Sequence, residues 1–180
     1  MHVFAVICKR GLAAFLVLFM AHSALAAPKY NRTDNWITYR NSEFGYRLFY
    51  PSAVFDTSQP AESDGGQSFI TQDGRAKIVV FGTLNSEAFS PREYRRIILD
   101  EFGGYDRLDY SPQGKTWFVL SGYRGENIYY QKVIFSCGNK VINVLSVTFP
   151  TAEKRFYEPL IETMEDHFKS GRGAQTPKGC

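Results

Sequence analysis

His167 stands beside Glu162, Glu165 and Asp166 in the stretch "ETMEDHFK". Carboxylates next to an imidazole are the groups general acid–base catalysis uses. On a helix, residues three and four apart share a face, so Glu162 meets Glu165 or Asp166. The same spacing describes a wetted acidic face, with His167 at the negative, C-terminal end of the helix dipole. The second reading is the expectation, because like carboxylates so close together are easiest to keep in water. Arg92, Arg95 and Arg96 form a second cluster, in "SPREYRRIILDEFGG". They could grip an acidic partner, but Glu93 and Asp100 lie three and four residues from Arg96, the spacing of ordinary surface pairs.

Aromatic residues make the third candidate. Tyr129 and Tyr130 are adjacent in "NIYYQKVIFS"; on a strand they point to opposite faces, which leaves one free for a ligand. Trp36 joins them as a candidate contact, with Tyr39, Tyr50, Trp117 and Tyr123 as supplements to a glycan- or peptide-binding face. Tyr and Trp suit such faces because an apolar ring carries a polar tip. Strand packing accounts for most of them.

Several chemistries have no motif here. No G-x-S-x-G elbow occurs, nor a P-loop, dinucleotide or zinc pattern. "ESDGG" and "TQDGR" lack the acidic spacing and closing glutamate of a calcium loop. The expectation is therefore no catalytic residue, no metal, no cofactor and no enzyme activity, with a hydrolase as the remote alternative.

The residues that carry these groups depend on what is exported. Lys9 and Arg10 precede the apolar run "LAAFLVLFM" and then "AHSALA". A basic stretch, a short apolar stretch and small residues at Ala24 and Ala26 read as a cleaved signal peptide over residues 1–26. The apolar run is well short of the roughly 20 residues a membrane span requires, so no transmembrane segment is expected after cleavage. An uncleaved anchor or a buried N-terminal helix is the other reading. Cleavage removes Lys9, Arg10, His2, His22 and Cys8, so 21 Lys+Arg become 19 against 18 Asp+Glu. The balance, about +1, gives no field to recruit nucleic acid. His167 becomes the single histidine, which removes any site needing two. Cys137 and Cys180 remain. In an oxidising compartment they can form an internal bridge, stay free, or bridge two molecules.

Residues 27–35 read as a short polar lead, 36–170 as one domain and 171–180, "GRGAQTPKGC", as a flexible C-terminal tail. In "FGYRLFYPSAVF", Phe44, Tyr46, Leu48 and Tyr50 alternate onto one face, the signature of a strand over a core, ended by Pro51. Residues 56–66 read as a long polar loop. Asp73-Gly74 between "QSFITQ" and "RAKIVVFGTLN" predicts a hairpin with positive φ at both turn positions. Ser90, Pro91 and Glu93 predict a capping box opening a helix with Tyr94, Ile97, Ile98 and Phe102 on its stripe and Gly103-Gly104 at its end. Further strands are expected at "YDRLDY", "KTWFVLSGY", "NIYYQKVIFS" and "VINVLSVTF", the last apolar on both faces and so central. Thr151 is expected to cap a final helix with Phe156, Leu160, Met164 and Phe168 on one stripe, kinked or restarted at Pro159. Strands, helix, strands, helix is the order of an α+β domain with a mainly antiparallel sheet.

"FGYRLFYP", the Ser-Pro-capped helix, "WFVLSGY", "YYQK" and "VTFPTAEKRFYEPLIETMEDHF" together resemble the PsbP-like and Ran-binding Mog-like group. The resemblance covers roughly residues 36–170 and is nearest to small exported bacterial proteins of that fold without an assigned activity. It implies an α/β/α sandwich, an antiparallel sheet flanked by helices, and an accessory binding role; no binding residue of the group matches a position here. The functional expectation is an exported, periplasmic or secreted, non-enzymatic module that contacts an envelope or secreted protein through the 56–66 loop, the turns at Asp73-Gly74 and Arg124-Gly125, or exposed aromatics. The alternative is a binder of a small lipid-like or glycan molecule in an apolar pocket between sheet and helix.

Overall fold

The computed structural model describes residues 35–62, 65–101 and 104–180, with the side chain of Glu101 excepted. The expected signal peptide, most of the polar lead, Phe102 and Gly103 lie outside the described residues.

Among the described residues, nine strands and two α-helices form an α+β fold. β1 (Trp36–Arg40) and β2 (Arg47–Pro51) make a small antiparallel sheet. The other seven are β3 (Thr57–Pro60), β4 (Gln67–Ile70), β5 (Lys77–Leu84), β6 (Arg107–Tyr110), β7 (Trp117–Arg124), β8 (Asn127–Ser136) and β9 (Val141–Pro150). They pair antiparallel in the order β3-β4-β5-β9-β8-β7-β6. β9 sits at the centre with seven consecutive buried residues, Val141 to Val147, as a strand apolar on both faces must. α1 (Pro91–Glu101) packs Ile98 with Phe118, Leu120, Val133, Phe135, Ile142 and Val144. α2 (Lys154–His167) packs Tyr157, Leu160, Ile161 and Met164 into a second cluster with Ile128, Leu145, Val147 and Phe149. Strand alternation puts these two sets on opposite faces of the sheet.

The alternation in β2 is as expected: Phe44, Tyr46, Leu48 and Tyr50 are buried. They lie over Phe69, Ile78 and Val80, so the small sheet covers the β4–β5 side of the α2 face. The Tyr46 hydroxyl lies 3.0 Å from the Gly65 carbonyl and 3.2 Å from that of Val80, and burial raises its pKa strongly. The capping box forms as expected: Ser90 N donates to Glu93 Oε2 at 2.8 Å and Glu93 N to Ser90 Oγ at 3.3 Å.

Five expectations need correction. Residues 56–66 are not all loop: Thr57–Pro60 pairs with Gln67–Ile70 as an edge strand. All four of its side chains are exposed, so it carries no periodic signal, and its backbone simply satisfies the open edge of β4. In the β4–β5 turn only Gly74 has positive φ (+70°), and the turn spans Thr71 to Ala76, with Gly74 N donating to Thr71 O at 2.8 Å. Thr151 does not cap α2; it opens a short 3-10 turn, Thr151–Glu153, and its hydroxyl has no hydrogen-bond partner. α2 does not restart at Pro159 but runs through it as one element, and its stripe is Tyr157, Leu160, Ile161, Met164 and Phe168, with Phe156 only partly buried.

The C-terminal segment is the fifth. Of residues 171–180, expected to be flexible, 171–175 lie along the β1–β2 corner. Ala174 N donates to Ser42 O at 2.9 Å and Gln175 N to Glu43 O at 2.7 Å. Gly45, at φ +73°, has the Arg172 backbone where a Cβ would stand, and Gly171 and Gly173 meet the Gly45 and Glu43 carbonyls in the same way. The glycines that read as a linker are there because backbone lies directly on backbone. Cys137 and Cys180 are joined in an internal disulfide, their Cα atoms 5.0 Å apart.

The β4–β5 turn supplies a prediction on pH. Asp73 Oδ1 accepts from Thr71 Oγ1 at 2.7 Å and from Arg75 N at 3.0 Å, and Oδ2 accepts from Arg75 Nε at 2.7 Å. The Thr71 hydroxyl, then the Arg75 amide, hold the Asp73 carboxyl at about 2, below its ordinary 3.8. A depressed carboxylate contributes stability above its unfolded pKa and loses it as pH falls through the folded one. The contribution is therefore complete above about pH 4 and gone near pH 2; the side chain is 46% exposed, so water screens it and the effect is modest. Asp73→Asn flattens the fall in thermal stability between pH 4 and pH 2. Equal slopes for the two proteins would mean the turn contributes nothing in that window.

Candidate functional site

A sheet of seven strands spaced about 4.8 Å apart is near 30 Å wide, and a helix with its side chains is about 10 Å across. On the α2 face, α2 covers the middle and the small sheet covers β4 and β5. The β6–β7 side is left open. β6 is short and its pairing with β7 slips between Leu108 and Tyr110, so Asp109 is bulged.

The result is a cleft of about 370 Å³ between α2 and β6–β8, within the size range of small-molecule sites. Ile128, Tyr130 and Phe149 form its floor, with Ser121 and Tyr123 beside them and Tyr110 at the edge. Along α2 the cleft is bordered by Glu158, Glu162 and Glu165, at the i, i+4, i+7 spacing of one helix face, with Lys154 one turn earlier and Ile161 between them.

Three of the four carboxylates at the cleft are matched. Asp109 Oδ1 accepts from Arg107 Nε at 2.7 Å, which lowers the Asp109 pKa. Glu158 pairs with Lys154 at 3.4 Å, and that charge raises the Lys154 pKa. Lys132 Nζ reaches under the end of α2, donating to Glu165 O at 3.0 Å and to Glu165 Oε1 at 3.3 Å. Glu162 has no ion-pair partner among the described residues.

Tyr130 is the unusual group. It is 6% exposed, and its hydroxyl, though close to the Glu165 carboxylate, makes no hydrogen bond of good geometry. Burial raises its pKa well above the ordinary phenol value, and the neighbouring Glu165 carboxylate raises it further. A buried hydroxyl without a well-formed hydrogen bond costs about 1–3 kcal/mol, and the residue that carries this one lines a cavity.

The candidate residues read from sequence divide among different places. Tyr129 and Tyr130 do face opposite sides of the sheet. Tyr129 lies under the Arg124 guanidinium, 4.5 Å from its ring centroid, near Tyr105 at 5.8 Å, and its hydroxyl is 3.4 Å from Ser146 Oγ. Trp36 stacks on Phe49 at 5.0 Å in the small sheet, away from the cleft. Arg92 and Arg96 are exposed on α1, and Arg95 is half-buried with its Nε lacking a partner. The expected ion pairs of Arg96 with Glu93 and Asp100 do not form among the described residues. His167 turns away from the acidic face: its Nδ1 lies 2.8 Å from Thr163 O and its ring packs 5.2 Å from Phe49. Among the described residues, no three His, Cys, Asp or Glu side chains converge as a metal site. None of their helices is long and apolar enough to cross a membrane.

The sequence reads Glu162 and Glu165 as part of a wet face, and Glu162 is exposed; Lys154, Glu158 and Tyr110 are lining residues it does not single out. The i, i+4, i+7 spacing was the available signal. What lies opposite it depends on strand order, which no local pattern states.

No family model and no curated protein matches the chain. Among solved structures it is similar to cyanobacterial PsbP (CyanoP) from Synechocystis, at 12% identity, with 82% of this chain and 99% of that one covered and a TM-score of 0.53. It is also similar to the Ran-binding protein Mog1p of Saccharomyces cerevisiae, at 12% identity, with 76% and 96% covered and a TM-score of 0.49. The fold is thus PsbP-like; at such identity the likeness is one of fold alone.

Proposed function

We propose that the protein is an exported, non-catalytic binding protein that holds a small amphiphilic ligand in the cleft between α2 and β6–β8 of an α/β/α sandwich. The observation that carries this is a 370 Å³ cavity lined by apolar residues and by Tyr130, whose buried hydroxyl has no hydrogen bond of good geometry. A concave site with an apolar floor and a few polar groups is the usual form of a small-ligand pocket. Export is supported by the basic-then-apolar start of the chain and by the Cys137–Cys180 bond, which suits an oxidising compartment. Docking of an envelope or secreted protein has less support: Ile37, Leu84, Tyr110 and Trp117 are exposed, but on four different strands.

The test is an NMR titration with three compounds on one carbon frame, 2-phenylethylamine, 2-phenylethanol and phenylacetate. At least one is expected to shift the resonances of Tyr130, Ile128 and Ile161, and Ser121→Phe, which fills the cleft, abolishes the shifts. No perturbation by any of the three, or shifts that survive Ser121→Phe, would overturn the reading.

A further inference from the structure

The charges around the cleft do not balance, and the imbalance has a definite size. Arg107 answers Asp109, Lys154 answers Glu158 and Lys132 answers Glu165. Glu162 stands between Glu158 and Glu165 on the same helix face, borders the same cavity, and has no cation among the described residues. One negative charge is left over. Tyr130, 6% exposed, lines the same space, and its hydroxyl, close to Glu165, makes no hydrogen bond of good geometry. A phenol can accept a hydrogen bond from an ammonium group while donating its own proton to a carboxylate. Tyr110, 55% exposed at the edge, offers a ring face of the kind that attracts cations.

From these observations we infer that the cleft takes a small organic monocation, an amine with an apolar body. Its charge sits between Glu162 and the Tyr130 hydroxyl, and its body lies on Ile128, Phe149 and Ile161. The inference rests on the cleft being a ligand site and adds the sign and number of the ligand's charges. An anion would face four carboxylates against three cations, a net negative site. A dication would have to displace Lys154, Lys132 or Arg107 from a pair already made. A metal ion is disfavoured because the acidic side chains do not converge as a ligand set.

Isothermal titration calorimetry with the same three compounds tests it. 2-Phenylethylamine is expected to bind at least about ten-fold tighter than 2-phenylethanol at low salt, and phenylacetate is expected not to bind. Glu162→Gln erases the preference for the amine while leaving the alcohol's affinity unchanged, and Tyr130→Phe weakens the amine more than the alcohol. Glu126→Gln, which removes an exposed charge outside the cleft, changes neither. Equal affinities for amine and alcohol, or a preference that survives Glu162→Gln, would overturn the cation inference and leave the small-ligand reading standing. Phenylacetate binding tightest would do the same. No binding by any compound would overturn both.

Discussion

Breaking the Cys137–Cys180 bond lowers stability by about 4 kcal/mol on the chain-entropy account of a loop of this length, the two cysteines being 43 residues apart. For a domain of this size that is a fall in Tm of roughly 8–16 °C. The loop contains β9, α2 and the tail, so in the unfolded chain the bond restrains a quarter of the sequence. In the folded protein it does a second thing. The tail rests on the β1–β2 corner through the Ala174 and Gln175 amides and the close approach of Gly171 and Gly173 to Glu43 and Gly45. Without Cys180 anchored, those contacts must hold the tail unaided. Cys180→Ser and Cys137→Ser are expected to melt at the same reduced temperature, with reductant lowering the wild type to match and affecting neither variant. Wild type unchanged by full reduction would show that the tail contacts, not the bond, carry the stability of this end.

The elements legible in the sequence are those whose side chains report their own surroundings. Phe44, Tyr46, Leu48 and Tyr50 alternate because one face of β2 is buried; Val141 to Val147 do not alternate because β9 is covered on both. Ser90 and Glu93 name their helix start because both halves of the capping box lie within four residues. The misses share a physical cause. β3 is held by backbone pairing to β4 and buries none of its side chains, so Thr57–Pro60 carries no pattern. The tail is held by backbone contacts that glycine permits, and glycine-rich sequence reads the same whether it is packed or loose. The cleft was legible in half: Glu158, Glu162 and Glu165 share a helix face by spacing alone. That Tyr130 stands opposite them follows from β8 lying between β9 and β7, which is a fact of topology.

Phe156 and Phe168 are equivalent on a stripe of spacing four, yet the fold treats them differently, and the difference is measurable. Phe168 is fully buried just past the end of α2, its ring 6.2 Å from that of Tyr46. The next residue, Lys169, exchanges both backbone hydrogen bonds with Arg47, at 2.9 and 3.1 Å, so Phe168 is where α2 and the small sheet are locked together. Phe156 is half-buried and meets Tyr157 edge-on at 4.8 Å, while Tyr157, the fully buried neighbour, has its hydroxyl pKa pushed up to about 12 by burial. Phe168→Ala therefore leaves a cavity that the paired Lys169 and Arg47 backbones prevent from collapsing, and costs about 3–5 kcal/mol. Phe156→Ala, whose site opens to water, costs less than half of that. Urea denaturation of both variants with the disulfide intact decides the matter. Equal losses would mean that α2 buries the face centred on Phe156, and the cleft residues Glu158, Glu162 and Glu165 would then be turned away from Tyr130. The stability of one phenylalanine thus also tests the orientation on which the binding site depends.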